Sequence, residues 1–467
     1  MITIVFSLLL LAFFCWITKA RQTAALASVF LLFSLMTRVI GLCYVDVVGP
    51  LYSDQLETFI GGSPSMPLFA VSVLAFLVPL AYAFRLSALK KRVAVAGRQL
   101  LYNPLAVLNV VFALLIIFVA TAYCDMLMRG PIPLLSGIDR LEYNSNFAGS
   151  LHAILNSHGF MIAFLLGLVF AYPRIFGKDF RVSAVVLYIL IIVYFALTGN
   201  RFSAFYVFTS FFVIPIAAVR LSTETNRLAP PPHNRAKLVA FIVSPKAIYL
   251  ALVSGGLLLL ALLVNSVVYV RLYDDPTNLF IQRTLVQPIE LWWMTWAGLQ
   301  DISEESVGTA WHELFVSPID ATRNTSVRLL MINALGYDRA LELAVLGTQF
   351  AGGYPEIFFE LLGPWLATPT ALVFGIVTVL LLRLVVVSTF HGRLGTAILA
   401  LYVYYGFTLL YIGGMLNFLI AWTYWVKCAA LFVVYLAERG CNANHLPRSL
   451  RHLKLPFCTA SYGPVLK

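Results

Sequence analysis

Charge is what this sequence has least of. Only 11% of its 467 residues are Asp, Glu, Lys or Arg, against 61% hydrophobic ones, and the mean hydropathy is +0.88. Soluble domains carry roughly 25% charged residues, so a chain this poor in charge cannot cover an aqueous surface, and a soluble enzyme is excluded. Cysteine is sparse too. Cys15, Cys43, Cys124, Cys428, Cys441 and Cys458 form no CxxC and no metal-ligand spacing; a disulfide framework is excluded, and at most one bridge, between Cys43 and Cys124, is allowed. No heptad run and no internal repeat is visible, and low complexity stops at Pro230-Pro231-Pro232. The first residues lack a basic n-region and an A-x-A-like cleavage site, so Met1 to Lys19 reads as a retained helix rather than a removed signal peptide.

Long apolar runs fill the rest. A bilayer core of about 30 Å needs roughly 20 apolar residues per helix. Eleven segments qualify: 2–18, 23–44, 67–84, 104–124, 151–172, 182–198, 203–219, 247–270, 366–387, 394–412 and 417–437. The fold class expected is all-α, a polytopic transmembrane helix bundle of about 11 spans with a large external loop carrying interfacial helices. The chain then divides into helices 1–8 with short loops (1–270), the large loop (271–365), helices 9–11 (366–437) and a basic tail (438–467).

Positive loops stay cytoplasmic, and the basic residues are unevenly shared. With the first connection inside, 22 Lys and Arg fall on the inner side and 8 on the outer, while Arg38 and Lys427 lie within spans. Of the 21 acidic residues only Asp179, Glu224 and Glu438 fall inside. The N-terminus is therefore expected outside and the C-terminus inside. The net charge of +11 is accounted for by the cytoplasmic face, and no nucleic-acid partner is implied.

Most of the length that is neither span nor short connector lies in 271–365, which is external on this topology, as is a smaller loop at 125–150. A loop this long with no span of its own is usually functional. Its Leu291-Trp292-Trp293-Met294-Thr295-Trp296 run suggests a helix at the membrane interface with Trp at headgroup level. All eight outer basic residues are arginine, whose planar fork grips phosphate in bidentate fashion and stays charged at any pH. The candidates for anion binding are Arg201 in the Leu197-Thr198-Gly199-Asn200-Arg201 turn, Arg283 before Thr284-Leu285-Val286-Gln287-Pro288, Arg140, Arg323 and Arg328. For each of them a snorkelling or neutralised surface arginine is the plain alternative.

Acid–base candidates are few. Glu356 and Glu360, in Gly352-Gly353-Tyr354-Pro355-Glu356-Ile357-Phe358-Phe359-Glu360, are four apart and share a helix face, which the spacing expects to open onto the outer cavity. Glu356 ranks first as a base because the first helical turn favours its ionised form; a structural partner for an arginine is the alternative. His312 is the reserve, and Tyr354 is a candidate substrate contact. His152 and His158 fall near the outer half of the fifth span. No metal site and no cofactor are expected.

The number of spans, the dominant late external loop, the 197–201 turn, the 283–288 stretch and the segment from Gly352 to Gly363 resemble the Wzy-type polymerases of bacterial polysaccharide repeat units, in the O-antigen polymerase and ligase superfamily. The resemblance implies an integral-membrane C-type glycosyltransferase of the bacterial inner membrane, its active site facing the periplasm. Such an enzyme joins a growing undecaprenyl-pyrophosphate-linked glycan to another lipid-linked repeat unit. The arginines above would hold the pyrophosphate and a carboxylate or His312 would take the acceptor's proton. The implied partners are the lipid-linked donor and acceptor, membrane lipids and a chain-length regulator protein. Ligases of the superfamily carry a histidine just before a late helix, where this chain has Gly352-Gly353-Tyr354-Pro355, which counts against a ligase. A transporter or flippase of lipid-linked glycan and a membrane acyl- or phosphoryl-transferase compete with the polymerase; a transporter favours internal repeats and paired broken helices.

Overall fold

The computed structural model describes residues 1–84, 105–136, 138, 140–172, 178–199, 202–226, 281–299, 311, 326–345, 350 and 352–441. Nearly all of them are helical. In a bilayer every backbone polar group must be satisfied internally, and an apolar run does so most simply as a helix. The helices are α1 (Ile2–Ala20), α2 (Gln22–Ala27), α3 (Val29–Val48), α4 (Met66–Ala83), α5 (Leu105–Arg129), α6 (Pro133–Ser136), α7 (Arg140–Asn146), α8 (Ser150–Ala171), α9 (Lys178–Leu197) and α10 (Phe202–Asn226). After a π-helical turn (Gln282–Val286) and a 3₁₀ turn (Gln287–Ile289) come α11 (Glu290–Ala297), α12 (Ser326–Leu335), α13 (Tyr337–Val345), α14 (Glu356–Phe390), α15 (Leu394–Gly413) and α16 (Trp422–Cys441). Between α3 and α4 lies a hairpin, β1 (Leu51–Ser53) paired antiparallel with β2 (Thr58–Ile60).

Eight of these helices are long and apolar enough to cross a membrane, so the chain is a multi-pass, all-α membrane protein. The spans expected at 203–219 and 417–437 fall on α10, whose apolar part is the shorter Tyr206–Leu221, and on α16, which carries Lys427, Glu438 and Arg439. The span expected at 247–270 lies outside the described residues. Small residues bring the helices close, as packing in lipid favours. A Cβ on Gly167 of α8 would run into the Phe212 carbonyl of α10, and one on Gly375 of α14 into the Ala75 carbonyl of α4. The thiols of Cys15, Cys43, Cys124 and Cys428 are free, so the bridge allowed between Cys43 and Cys124 is not made.

The connections gather at the two ends of the bundle. At one end the β1–β2 hairpin meets the 282–297 and 337–345 segments, and Gly352 donates to the Ile412 carbonyl at 2.9 Å. At the other, the Tyr172 hydroxyl meets the Thr389 carbonyl at 3.4 Å, and Glu438 accepts from the N–H groups of Gly395 and Thr396, at 3.0 and 3.1 Å, which opens α15. The first end carries the hairpin and the described parts of the large loop, both expected outside. Reporter fusions after Arg98 and after Arg235 are expected to read cytoplasmic and one after Gly308 periplasmic; a cytoplasmic signal after Gly308 overturns that orientation.

Within α14 the backbone breaks at Gly363, with φ 69° and ψ 175°. Glycine adopts such a conformation without steric cost, and Pro364 suits the first position of the helix that follows. The break separates a short helix, 356–362, from the membrane span. Trp365, 89% exposed, opens that span and Trp422, 74% exposed, opens α16, the span-end position that Trp favours at a membrane interface.

Candidate functional site

The site forms where the 282–289 turns and the start of α14 converge on α3. Gly41 of α3 lets the π-helical turn come so close that a Cβ would strike the Leu285 carbonyl. One turn earlier on the same helix stands Arg38, buried at 2% exposure. Its Nε donates to the Pro288 carbonyl at 2.9 Å, one Nη donates to the Tyr354 carbonyl, and the other pairs with Glu356 Oε1. The guanidinium lies over the Phe69 ring at 5.0 Å. A buried charge of this kind is expensive unless paired and hydrogen-bonded, and here one arginine ties α3 to both the 282–289 turns and the start of α14.

Gly352 and Gly353 explain how the last segment gets there. Both have positive φ, 106° and 121°, and Gly353 lies against Gly413 and Gly414 so closely that any Cβ would collide with their backbone. The chain then descends through Tyr354, whose hydroxyl donates to the Ser72 carbonyl at 2.8 Å and whose ring meets Tyr411 at 4.3 Å between centroids.

Two sequence expectations are corrected here. Tyr354 is fully buried in the core and is a packing residue, not a substrate contact. Glu356 does not open onto an outer cavity: it is fully buried against Arg38, and its second oxygen, Oε2, is buried with no hydrogen-bond partner among the described residues. Glu356 therefore gives up first rank as a base, because its carboxylate already neutralises a buried cation. Glu360, one turn on, is half-buried and differently held. Thr295 Oγ1 donates to Oε1 at 3.4 Å and Asn333 Nδ2 to Oε2 at 3.1 Å. Both donors are neutral, and no basic side chain is paired with Glu360 among the described residues.

The Trp run of α11 is corrected as well. Trp292 is fully buried and donates to Ser65 Oγ at 3.2 Å, Trp293 is buried, and Trp296 donates to Ser63 Oγ at 2.8 Å. Trp292 packs on Phe69 and Phe359. These indoles fix α11 between α4 and α14 instead of meeting lipid headgroups.

The remaining candidates fall into two groups. The backbone of Arg283 lies in the π-helical turn packed on α3, next to the Pro288 carbonyl that Arg38 holds, and that of Arg328 in α12, the helix whose Asn333 meets Glu360. Arg140 belongs to α7, whose Asn144 meets buried His152 at 3.0 Å, and His152 also meets the Tyr194 hydroxyl at 3.1 Å, near the end of α9 that leads to Arg201. The positions of Arg201, Arg323 and His312 lie outside the described residues, as do the side chains of Arg140, Arg283 and Arg328. Among the described residues no group of three or more His, Cys, Asp or Glu is placed to hold a metal ion. The sequence marks Arg38 only as a charge within a span; such a charge is by default in need of a partner, a signal that could have singled out Arg38 without naming Glu356.

Residues 320–426 match the model of a family of unknown function, DUF6418. The match spans less than a quarter of the chain. It runs from α12 into α16 and so includes Asn333, Tyr354, Glu356, Glu360 and the break at Gly363, but not Arg38 or Thr295. No curated protein and no solved structure matches the chain.

Proposed function

We propose that the chain is a metal-independent glycosyltransferase that polymerises undecaprenyl-pyrophosphate-linked repeat units into O-antigen or exopolysaccharide on the periplasmic face of the inner membrane. The observation that carries this reading is the setting of Glu360. Its carboxylate sits half-buried where α11, α12 and the short helix before Gly363 meet, held by two neutral donors that orient it without neutralising it. A carboxylate left its charge and some of its acceptor capacity is suited to take a proton. The sequence resemblance supplies the substrate class.

In this reading Glu360 removes the proton from the acceptor sugar hydroxyl as its oxygen attacks the anomeric carbon of the donor. The bond from that carbon to the pyrophosphate breaks, and the pyrophosphate leaves on its lipid with the electron pair. The arginines expected on the outer side, Arg201, Arg283, Arg140, Arg323 and Arg328, hold the departing charge, which costs nothing in reorganisation if they are already in place. His312 is the alternative proton acceptor. Glu356 and Arg38 keep the segment in register.

Removing the gene from its own cell tests the reading. A polymerase defect is expected to leave single repeat units on lipid carrier or lipid core, with no long glycan. Accumulation of finished polymer on the lipid carrier instead points to the ligase, and unpolymerised units retained on the cytoplasmic side point to a flippase.

A further inference from the structure

A second buried carboxylate lies outside this chemistry. Glu290, the first residue of α11, is fully buried. One of its oxygens accepts from the Ser53 hydroxyl of the β1–β2 hairpin, and the other is buried with no partner among the described residues. The same hairpin is fastened at two more points: Gln282 Nε2 donates to the Tyr52 carbonyl at 2.6 Å, and Arg339 of α13 bridges Glu57 at the hairpin's tip and Glu342, both at 2.6 Å. The hairpin thus covers the turn that carries Arg283, and Glu290 is the fully buried link beneath it.

No basic side chain is paired with Glu290 among the described residues. Among these residues, the charged groups on the elements packed around it are Asp54 and Glu57 of the hairpin, Arg38 and Asp46 of α3, and Glu356, Glu360 and, far along the membrane span, Arg383 of α14. Arg38 is spent on Glu356. The charge that does act on Glu290 is that of Asp54, another carboxylate. A buried carboxylate with an unpartnered oxygen and a like charge beside it is best satisfied as the neutral acid.

We propose that Glu290 is a proton-binding site that latches the β1–β2 hairpin over the Arg283 turn, closed when Glu290 is protonated and released as it ionises. Burial pushes its pKa up to about 7, against the Ser53 hydrogen bond that pulls it down. Once the hairpin lifts, Glu290 meets water and returns to the ordinary carboxylate range of about 4.3. The sign follows from linkage: docking takes up a proton, so the latch is fully present below about pH 4.5 and is lost as pH rises to about 7. The opening constant should grow roughly tenfold per pH unit across that window and level off above it. The inference stands whether or not the chain is a polymerase.

Hydrogen exchange of residues 51–60 in the full-length protein in lipid nanodiscs, corrected for intrinsic rates, tests it between pH 5 and pH 8. The wild type is expected to lose protection by at least tenfold from pH 5 to pH 7 and little more beyond. Glu290→Gln, a permanent mimic of the neutral acid, is expected to stay protected throughout. Asp54→Asn on the exposed hairpin removes the like charge, lowers the pKa of Glu290 and so moves the plateau to lower pH, which keeps the test open if Glu290→Gln misfolds. Protection of 51–60 that is flat with pH in the wild type, or a plateau unmoved in Asp54→Asn, overturns the latch.

Discussion

Replacing Arg38 with methionine is expected to remove most folded protein from the membrane. Arg38 and Glu356 are both buried, and removal of one partner leaves the other as an uncompensated charge. Breaking a buried pair in this way costs about 3–5 kcal/mol, a large part of the about 5–15 kcal/mol that holds a typical protein together. The loss extends beyond the carboxylate, since the Pro288 and Tyr354 carbonyls also lose their donor. Removing both charges, as Arg38→Met with Glu356→Leu, takes away the desolvation cost as well, and this double variant is expected to melt closer to the wild type than Arg38→Met alone. Monodisperse yield and melting temperature of the three proteins in detergent provide the measurement. An Arg38→Met protein with wild-type yield and melting temperature means that the pair is not formed.

The Arg38–Glu356 pair also shows where sequence reading stops. Spans are legible because lipid imposes one rule along the whole chain: a run of about 20 apolar residues must become a helix. Ten of the eleven expected spans fall on helices, the eleventh lies outside the described residues, and the β1–β2 hairpin meets parts of the large loop that were expected on the same side. What a one-dimensional pattern cannot carry is which distant residue answers a buried charge. Arg38 and Glu356 are 318 positions apart, and nothing in either neighbourhood names the other. The i,i+4 spacing correctly put Glu356 and Glu360 on one helix. It could not show that α3 would claim the first of them and leave the second to Thr295 and Asn333. The Trp run was misread for a related reason. A Trp-rich segment near a membrane fits headgroups and a protein core equally well, and the choice was made by Ser63 and Ser65, two hydroxyls more than 200 residues upstream that accept the indole N–H groups.

Glu360→Gln is expected to abolish long glycan while leaving the protein in the membrane at its normal level. The substitution preserves shape and one acceptor oxygen, so the Thr295 contact survives, and the hydrogen bond lost at Asn333 costs only about 1 kcal/mol. What disappears is the ability to accept a proton, and removing a positioned general base slows a reaction by roughly 10²–10⁴-fold, enough to leave lipid-linked single repeats as the product that accumulates. Asn333→Ala separates position from basicity. It keeps the carboxylate and removes one of its two guides, so shorter or fewer chains are expected, with a smaller effect than Glu360→Gln. Glu356→Gln gives a different outcome, in which polymer and protein fall together, because there the lost charge is the counterion of Arg38. Normal polymer from Glu360→Gln removes this carboxylate from the chemistry, and loss of polymer from His312→Ala in the same background assigns the proton transfer to the large loop.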